Sequence, residues 1–356
     1  MSANGNGLLH HEQLAVRRGE RSGAYIVVGI HSTKLGPALG GARLWPYGSL
    51  GDAIADALRL SEAMTYKAAA AGLDLGGGKA AILHPGGELE GDVRAELMRD
   101  VGDVVESLGG DYVTAEDVGT DADDMAVIAE RTKHVVGLPE HLGGSGDPSP
   151  ITARGVEAAI RSCCERRFGS ADLDGRAIAV IGLGHVGARL SERLAFGGAE
   201  LVVCDIDERK RALAEDLGAR WADPETATAT ECDVLAPCAL GGAIDERTVE
   251  QLRCEVVCGA ANNVLAEDEL AGRLDEREIL YAPDFIANAG GLMHVYGELH
   301  ALDAASLEAI VDGIGDSLAR VFDLADERRL TPLAAARSLA LERLGASERE
   351  TLLAAA

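Results

Sequence analysis

Short apolar runs alternate with longer amphipathic stretches along most of this chain. Tyr25–Ile30 (YIVVGI) is apolar throughout and predicts a buried strand. From Ser49 to Ala71 the apolar positions recur at helical spacing. Ser49 is suited to cap the first turn, and Gly72 to close the last. Ala80–Leu83 predicts a strand following a glycine run, and Asp92–Leu108 a helix with one apolar face. Tyr112–Thr114 predicts a short strand and Asp123–Arg131 a further helix. The second half opens with a helix over Ile151–Arg166. Strands are then predicted at Ala177–Ile181 (AIAVI), Leu201–Cys204, Val234–Ala236 and Val256–Val257, with a helix over Val186–Phe196. Leu302–Leu344 is helical by period. Strands separated by helical stretches predict an α/β protein with a parallel sheet and crossover helices.

Between the halves lies Gly143–Pro150 (GGSGDPSP), which reads as a hinge or an ordered binding loop. The expected organisation is an N-terminal α/β domain over residues 1–145 and a Rossmann-like doubly wound domain over 146–324. C-terminal helices from about 325 to 356 are long enough to pack back on the first domain, and a catalytic cleft would lie between the domains. A length of 356 residues exceeds what one core usually serves, which agrees with two domains.

No segment approaches the run of about 18 apolar residues that a membrane span needs. Met1–Gly7 has neither a basic nor an apolar signal region, so the expectation is a cytoplasmic protein. The formal net charge of -26 disfavours a phosphate backbone as partner and reads as a solvated acidic surface. The 7 cysteines show no paired CxxC spacing and no Cys/His grouping. Reduced, buried thiols are expected, without a disulfide framework or a metal site. Lysine is scarce: Lys34, Lys67, Lys79, Lys133 and Lys210 stand in a chain with 33 basic residues. A lysine kept where arginine is the rule invites a chemical explanation, because the two side chains do different chemistry.

Gly182-Leu183-Gly184-His185-Val186-Gly187 follows an apolar strand and opens a helical stretch. A second strand then ends in Cys204-Asp205. In that context the three glycines form a dinucleotide fingerprint. Gly182 permits a tight turn, Gly184 a close approach to pyrophosphate, and Gly187 close packing of helix on strand. The helix start offers N–H groups to phosphate. Asp205 would accept from the ribose hydroxyls and repel a 2′-phosphate, which favours NAD; Arg209 and Arg211 nearby keep NADP as a lesser option. A Rossmann domain that binds nothing is the bland alternative.

Lys67 falls near the end of the first long helix. Lys79 follows Gly76-Gly77-Gly78, across a helix end, a loop and a glycine turn. Brought into one site, each cation would lower the other's pKa toward the range useful for proton transfer. Spacing alone weighs equally two solvated surface lysines. Asp117, in the loop after a strand, could serve chemistry or cap a turn. Asn262-Asn263 reads as a turn or as a polar clamp beside a nicotinamide, and Asn288-Ala289-Gly290-Gly291 as a helix entry or a similar clamp. Cys238 reads as a packed thiol rather than a nucleophile, and His294 as an ordinary helix histidine.

Taken together, these segments resemble the glutamate/leucine/phenylalanine/valine dehydrogenase family, on its leucine, phenylalanine and valine branch. The resemblance rests on KLGPALGGARLW from Lys34, MTYKAAAAGLDLGGGK from Met64 and TAEDVGT from Thr114. It continues through GSGDPSPITA from Gly144, IGLGHVG from Ile181, APCALGGAI from Ala236, CGAANN from Cys258 and YAPDFIANAGG from Tyr281. It implies an NAD-dependent oxidative deamination of an apolar L-amino acid to a 2-oxo acid and ammonium, in a homo-oligomer. The first domain would then carry catalysis, substrate binding and oligomerisation, and the second would bind NAD.

Residue by residue, the resemblance implies that Lys67 binds the substrate carboxylate with the Gly40-Gly41 backbone. Lys79 would act as general base, Asp117 would move protons at the amino nitrogen, and Asn262 would help hold substrate. Leu39, Ala115, Leu292 and Val295 would line the side-chain pocket. The cofactor would meet Gly182, Gly184, His185, Val186, Gly187, Asp205 and Ile206. It would also meet Ser149 and Thr152 in a hinge-proximal loop, and Cys238, Ala239, Ala260, Asn262 and Asn288. Four apolar pocket positions disfavour glutamate, whose second carboxylate would be buried without a partner. Leu292 leans toward aliphatic substrates, while Met293-His294 resembles the phenylalanine enzymes. A 2-hydroxyacid dehydrogenase lacks the His, carboxylate and Arg set it would need here. A non-catalytic NAD-binding regulator predicts loss of Lys67, Lys79 or Asp117, and all three are present.

Overall fold

The apolar run at Tyr25 is a strand covered on both faces, and the first of two units is built around it. The computed structural model describes residues 10–345 other than Pro85 and Glu88. Met1–Gly7 and residues 346–356 therefore lie outside the described residues. One unit comprises the chain up to Gly146 together with Val295–Ala301; the other holds Asp147–His294 and the chain from Leu302.

In the first unit, β1 (Gln13–Arg18), β2 (Tyr25–Ser32), β3 (Ala38–Trp45), β4 (Gly76–Leu83) and β5 (Tyr112–Glu116) form one sheet. Their order is β1-β2-β4-β3-β5. The pairings β1–β2 and β2–β4 are antiparallel; β3 runs parallel to both β4 and β5. Helix α1 (Leu50–Ala70) covers one face, where Val27 and Ala81 pack on Ala53 and Ala57. Helices α2 (Gly91–Glu106) and α3 (Ala122–Ala129) cover the other. There Ile26, Val28, Ile30 and Ile82 meet Leu97, Met98, Val101 and Ile128. A strand covered on both sides needs apolar side chains at odd and even positions alike, which is why β2 shows no alternation. Ser49 caps α1 as its sequence predicts, accepting from the Asp52 N–H at 3.2 Å.

The glycine run is not a turn. Gly76–Gly78 lie inside β4, and Lys79 follows within the same strand. The reason is close packing on both faces. A Cβ at Gly77 would sit 2.2 Å from the Thr65 nitrogen of α1, and one at Gly78 would sit 2.5 Å from the Tyr112 ring. Gly29, opposite Lys79 on β2, faces Ala57 and Ser61 of α1 in the same way. Small residues on both sides let the helix approach the sheet closely.

The second unit contains β6 (Ala177–Ile181), β7 (Glu200–Cys204), β8 (Arg220–Trp221), β9 (Val234–Pro237), β10 (Val256–Val257) and β11 (Leu280–Tyr281). All pairings are parallel and the order is β11-β10-β9-β6-β7-β8. That order reverses direction beside β6, the doubly wound arrangement of dinucleotide-binding folds. The helices of this unit are α4 (Ser149–Phe168), α5 (His185–Phe196), α6 (Arg211–Asp216), α7 (Glu246–Gln251), α8 (Leu270–Glu276) and α9 (Asp284–Ala287). They continue with the first half of α10 (Gly290–Leu299), α11 (Ala304–Asp312), α12 (Ile314–Arg328) and α13 (Pro332–Arg343).

Three expectations are corrected here. The described C-terminal helices belong to the second unit: α13 sets Leu333 into the apolar core beneath β10 and β11, and α12 packs on α4. Val295–Ala301, expected in the second domain, belongs to the first unit. Its Glu298 carboxylate accepts from the Gly137 and Ser145 N–H groups, both at 3.0 Å, and from the Ser145 hydroxyl at 2.6 Å. Ser149 and Thr152 stand in the first turn of α4 rather than in a loop. Pro150 suits the fixed φ of a helix start, and Asp147 accepts from the Ser149 N–H at 2.9 Å.

Asp100 interrupts the apolar face of α2 and is nonetheless buried. Its carboxylate accepts from the Ser22 N–H and hydroxyl, both at 2.8 Å, and pairs with the Arg21 guanidinium at 2.8 Å. It thereby ties the turn between β1 and β2 to α2. Burial works against the charge, but these bonds hold the carboxyl below its ordinary 3.8. Its contribution to stability is therefore present above that value and is lost as pH falls through the lower folded value. Asp100→Asn is expected to lower unfolding free energy by about 2–3 kcal/mol in urea titrations near neutral pH. The difference from the unsubstituted protein should shrink in acid; equal stability at neutral pH would refute the clamp.

Candidate active site

Side-chain parity along β3, β4 and β5 assembles the candidate site of the first unit. Successive strand residues face opposite ways. Leu39, Gly41 and Arg43 of β3 therefore share a face with Gly77 and Lys79 of β4. In register they also share it with Val113 and Ala115 of β5. This is the face that α1 covers. Lys79 is 6% exposed, and its Nζ lies 2.7 Å from Asp117 Oδ2, just beyond the end of β5. Lys67 projects from α1, eleven residues after Asp56. That is about three helical turns, so both lie on one side of the helix.

A buried ammonium loses hydration, and this pushes Lys79 below its usual value. The Asp117 carboxylate opposes the fall, and the Arg43 charge adds to it. Burial alone would raise Asp117; Lys79 and Arg43 outweigh that and hold its carboxyl below the usual range. The pair is thus stable as an ion pair and carries a lysine that releases its proton more readily than a solvated one. Gly40 faces the opposite side. Its carbonyl accepts from the Tyr112 hydroxyl at 2.5 Å, and the carbonyl of Gly78 would collide with any Cβ there.

Sequence reasoning overlooked Arg43, Asp56 and Tyr47. Arg43 Nε donates to Asp117 Oδ2 at 2.9 Å and its Nη1 to Asp56 Oδ2 at 3.1 Å, which the Tyr47 hydroxyl also bonds at 2.8 Å. A cavity lined by Arg43, Trp45, Tyr47, Asp56 and Val118 opens beside them. The signal was present: Arg43 shares strand parity with Leu39 and Gly41. Two glycines in tandem masked that strand.

In the second unit the GLGHVG segment closes the β6–α5 turn. Gly182 adopts φ +100 and donates its N–H to Cys204 O at 2.9 Å. A Cβ there would strike Ala239 at 2.7 Å, and one at Gly187 would strike Gly182 O at 1.9 Å. At Gly184, by contrast, a Cβ would meet nothing within 4 Å. His185, Val186 and Gly187 form the first turn of α5, whose N–H groups and dipole suit a phosphate. Asp205 anchors the turn by accepting from the Leu183 N–H at 2.7 Å, and it pairs with Lys210 Nζ at 2.8 Å. Burial would raise the Asp205 carboxyl, but Lys210 and backbone N–H groups keep it low and ionised. Beside it, Ile206 is 92% exposed. These residues fit a dinucleotide.

The Asn288 amide donates to Asn262 Oδ1 at 2.8 Å and to Ala261 O at 3.1 Å, which gathers Ala260, Asn262 and Asn288 after β10. Cys238 follows β9, and burial pushes its thiol up to about 12, in keeping with a packed group. Thr152 packs against Gly290, where a Cβ would lie 2.7 Å from Thr152 Cα. Leu292 is buried in the half of α10 that belongs to the second unit, and Val295 opens the half that belongs to the first. Among the described residues no helix is long and apolar enough to cross a membrane.

A five-stranded unit with a buried lysine–aspartate pair and a parallel-sheet unit with a dinucleotide turn define an oxidoreductase of the dehydrogenase class. Comparison with known proteins places it within that class. The profile described as "Glu/Leu/Phe/Val dehydrogenase, dimerisation domain" matches residues 12–134. The profile of "Glutamate/Leucine/Phenylalanine/Valine dehydrogenase" matches residues 202–345. Leucine dehydrogenase of Thermoactinomyces intermedius is 42% identical over 94% of this chain and 91% of its own. Valine dehydrogenase of Streptomyces virginiae is 42% identical over 97% and 99%. The crystal structure of L-tryptophan dehydrogenase from Nostoc punctiforme superposes with a TM-score of 0.86 at 37% identity, covering 96% of this chain and 98% of that one. The chain belongs to the glutamate/leucine/phenylalanine/valine dehydrogenase family and is an amino-acid dehydrogenase. The family implies a nicotinamide dinucleotide as cofactor.

The Lys79–Asp117 pair can be tested without turnover. Asp117→Asn removes the charge that holds Lys79 up, so burial should depress the lysine further. Competitive trace acetylation, read peptide by peptide, should show the Lys79 amine becoming reactive about one pH unit lower than in the unsubstituted protein. An unchanged midpoint would mean that the ion pair does not exist in solution.

Proposed function

We propose that this chain oxidatively deaminates an aliphatic L-amino acid of the leucine, valine and isoleucine type, with NAD, to the 2-oxo acid, ammonium and NADH, reversibly. The observation that carries the reading is the buried Lys79 ammonium bonded to Asp117 at 2.7 Å. A lysine is buried beside a carboxylate at a cost in hydration, and proton transfer is the task that rewards such an arrangement. When bound, the nicotinamide would supply the hydride acceptor for oxidation at the substrate Cα. Lys79, once neutral, takes a proton from the water that attacks the imino carbon. Asp117 carries protons to and from the nitrogen that leaves. Lys67 pairs with the α-carboxylate, and the backbone of Gly40 and Gly41 abuts the substrate.

Leu39 and Ala115 flank Gly41 on this face, and neither can pair with a second carboxylate, which disfavours glutamate. Identities of 42% to a leucine and to a valine dehydrogenase and 40% to a phenylalanine dehydrogenase agree with an apolar substrate. Phenylalanine is the second reading: Met293-His294 beside Leu292 favours it, as does likeness to a tryptophan dehydrogenase. A homo-oligomer is the corresponding expectation for assembly.

For the cofactor, Gly182, Gly184, His185, Val186 and Gly187 would hold the pyrophosphate, with Asp205 and Ile206 at the adenosine ribose. Cys238, Ala239, Ala260, Asn262, Asn288, Ser149 and Thr152 would lie toward the nicotinamide. NAD is favoured over NADP because the two arginines that could greet a 2′-phosphate are engaged. Arg209 pairs with Asp207 at 2.8 Å, and Arg211 pairs with Glu208 at 2.8 Å while covering the Trp221 ring.

The test is NADH formation at alkaline pH with L-leucine, L-valine, L-phenylalanine and L-glutamate in parallel. Leucine or valine should give the highest kcat/KM and glutamate none, and Lys79→Ala should lose about 10²–10⁴-fold in kcat. Turnover of glutamate, or full activity of Lys79→Ala, would overturn the reading. NAD should exceed NADP by about 100-fold in kcat/KM, a difference of about 3 kcal/mol. Asp205→Ser should narrow that ratio; parity of the two cofactors in the unsubstituted enzyme would refute the assignment.

A further inference from the structure

Arg43 touches both partners of a charge chain that the proposed reaction does not itself require. Its Nε and the Lys79 Nζ bond the same Asp117 oxygen, Oδ2, at 2.9 and 2.7 Å. The other arm of the guanidinium reaches Asp56 of α1 at 3.1 Å, and the Tyr47 hydroxyl donates to that same Asp56 oxygen at 2.8 Å. We propose that Arg43 is a positioning residue for the proton-transfer pair: anchored by Asp56 and Tyr47, it fixes Asp117 against Lys79 and keeps a second positive charge beside that base. The inference rests on the reading of Lys79 as general base.

The geometry calls for arginine. A guanidinium presents donors at fixed angles and can bridge two carboxylates from one plane, whereas a lysine offers a single point charge. It also stays charged at every pH at which the enzyme would be assayed. With both cations on Oδ2, the Oδ1 oxygen of Asp117 is assigned to the substrate nitrogen. The carboxylate then cannot swing away from the base while it serves as proton carrier.

The charges that act on Lys79 come from the strands beside β4 and from the helix above it. Asp117 stands at the end of β5, Arg43 on β3, and Asp56 on α1, where Arg59 pairs with it at 2.6 Å. On β2 the residue opposite Lys79 is Gly29, and His31 beyond it bonds Thr65 at 2.9 Å. Arg43 disfavours a second positive charge and lowers Lys79; Asp56 favours one and raises it. Neutralising either residue should therefore move Lys79 in opposite directions. A merely structural role for the chain predicts no such opposition.

The experiment compares Arg43→Gln, Arg43→Lys, Asp56→Asn and Lys79→Ala with the unsubstituted enzyme. Thermal melts would first establish that each variant is folded. Lys79 reactivity toward trace acetic anhydride is then followed against pH, beside the pH profile of kcat/KM for L-leucine. In Arg43→Gln the labelling midpoint and the acid limb of kcat/KM should both move up by about one pH unit. In Asp56→Asn they should move down by about half a unit, and Arg43→Lys should restore most of the shift. In Arg43→Gln kcat should fall about tenfold or more, with KM changed by about threefold or less. Should Arg43→Gln not fold, the downward shift in Asp56→Asn decides alone. Midpoints that stay put in the folded variants, beside an inactive Lys79→Ala, would overturn this inference and leave the proposed function standing. Full turnover by Lys79→Ala would overturn the base assignment and this inference together.

Discussion

A lysine ammonium with almost no contact with water is the constraint on which the first unit turns. Removing such a group from solvent costs several kcal/mol unless a partner supplies the lost interactions. Asp117 supplies them at 2.7 Å, and Asp117 is itself more than three-quarters covered. Two buried charges of opposite sign would suffice for stability. The structure adds Arg43 and Asp56, a second pair in line with the first. A four-charge chain across β4, β5, β3 and α1 does more than neutralise: it holds each carboxylate from two sides. That is how a short, flexible aspartate becomes a fixed element of a site.

Small residues make this possible. The helix that carries Asp56 and Lys67 rests on the sheet through Ala53, Ala57, Ser61 and Thr65, and the sheet answers with Gly29 and Gly77. Larger side chains at any of these positions would lift α1 away and lengthen every bond in the charge chain. Glycines within strands lose conformational entropy on folding, so their presence in β4 is paid for by proximity. The same logic governs the dinucleotide turn, where Gly182 and Gly187 admit Ala239 and a backbone carbonyl.

The second unit handles charge differently. Its acidic residues at the end of β7 are engaged by neighbours: Asp205 by Lys210 and two backbone N–H groups, Asp207 by Arg209, Glu208 by Arg211. Lysine, scarce overall, stands at Lys79 beside Asp117 and at Lys210 beside Asp205.

Elements with strong local signals were legible from the chain alone. These include the apolar β2, the capped α1, and the strand–glycine–helix unit at Ala177–Phe196, because their periodicity, caps and turn residues act over a few positions. The three fingerprint glycines were legible for the same reason, whereas Lys67, Lys79 and Asp117 stood out only through motifs shared with the family the chain resembles. Tertiary structure decided what depends on residues distant in sequence. The Gly76–Gly78 run reads locally as a turn and becomes strand because Thr65 and Tyr112 press on its two faces. Leu333 and Glu298 carry ordinary helical patterns; what each helix packs against, β11 for one and the Gly137 and Ser145 amides for the other, is a matter of long-range fit. Arg43 lies in a strand that its glycines hid from local pattern, and its place was decided when β3 came to lie between β4 and β5. Pairing register, which no local pattern encodes, put its guanidinium between Asp117 and Asp56.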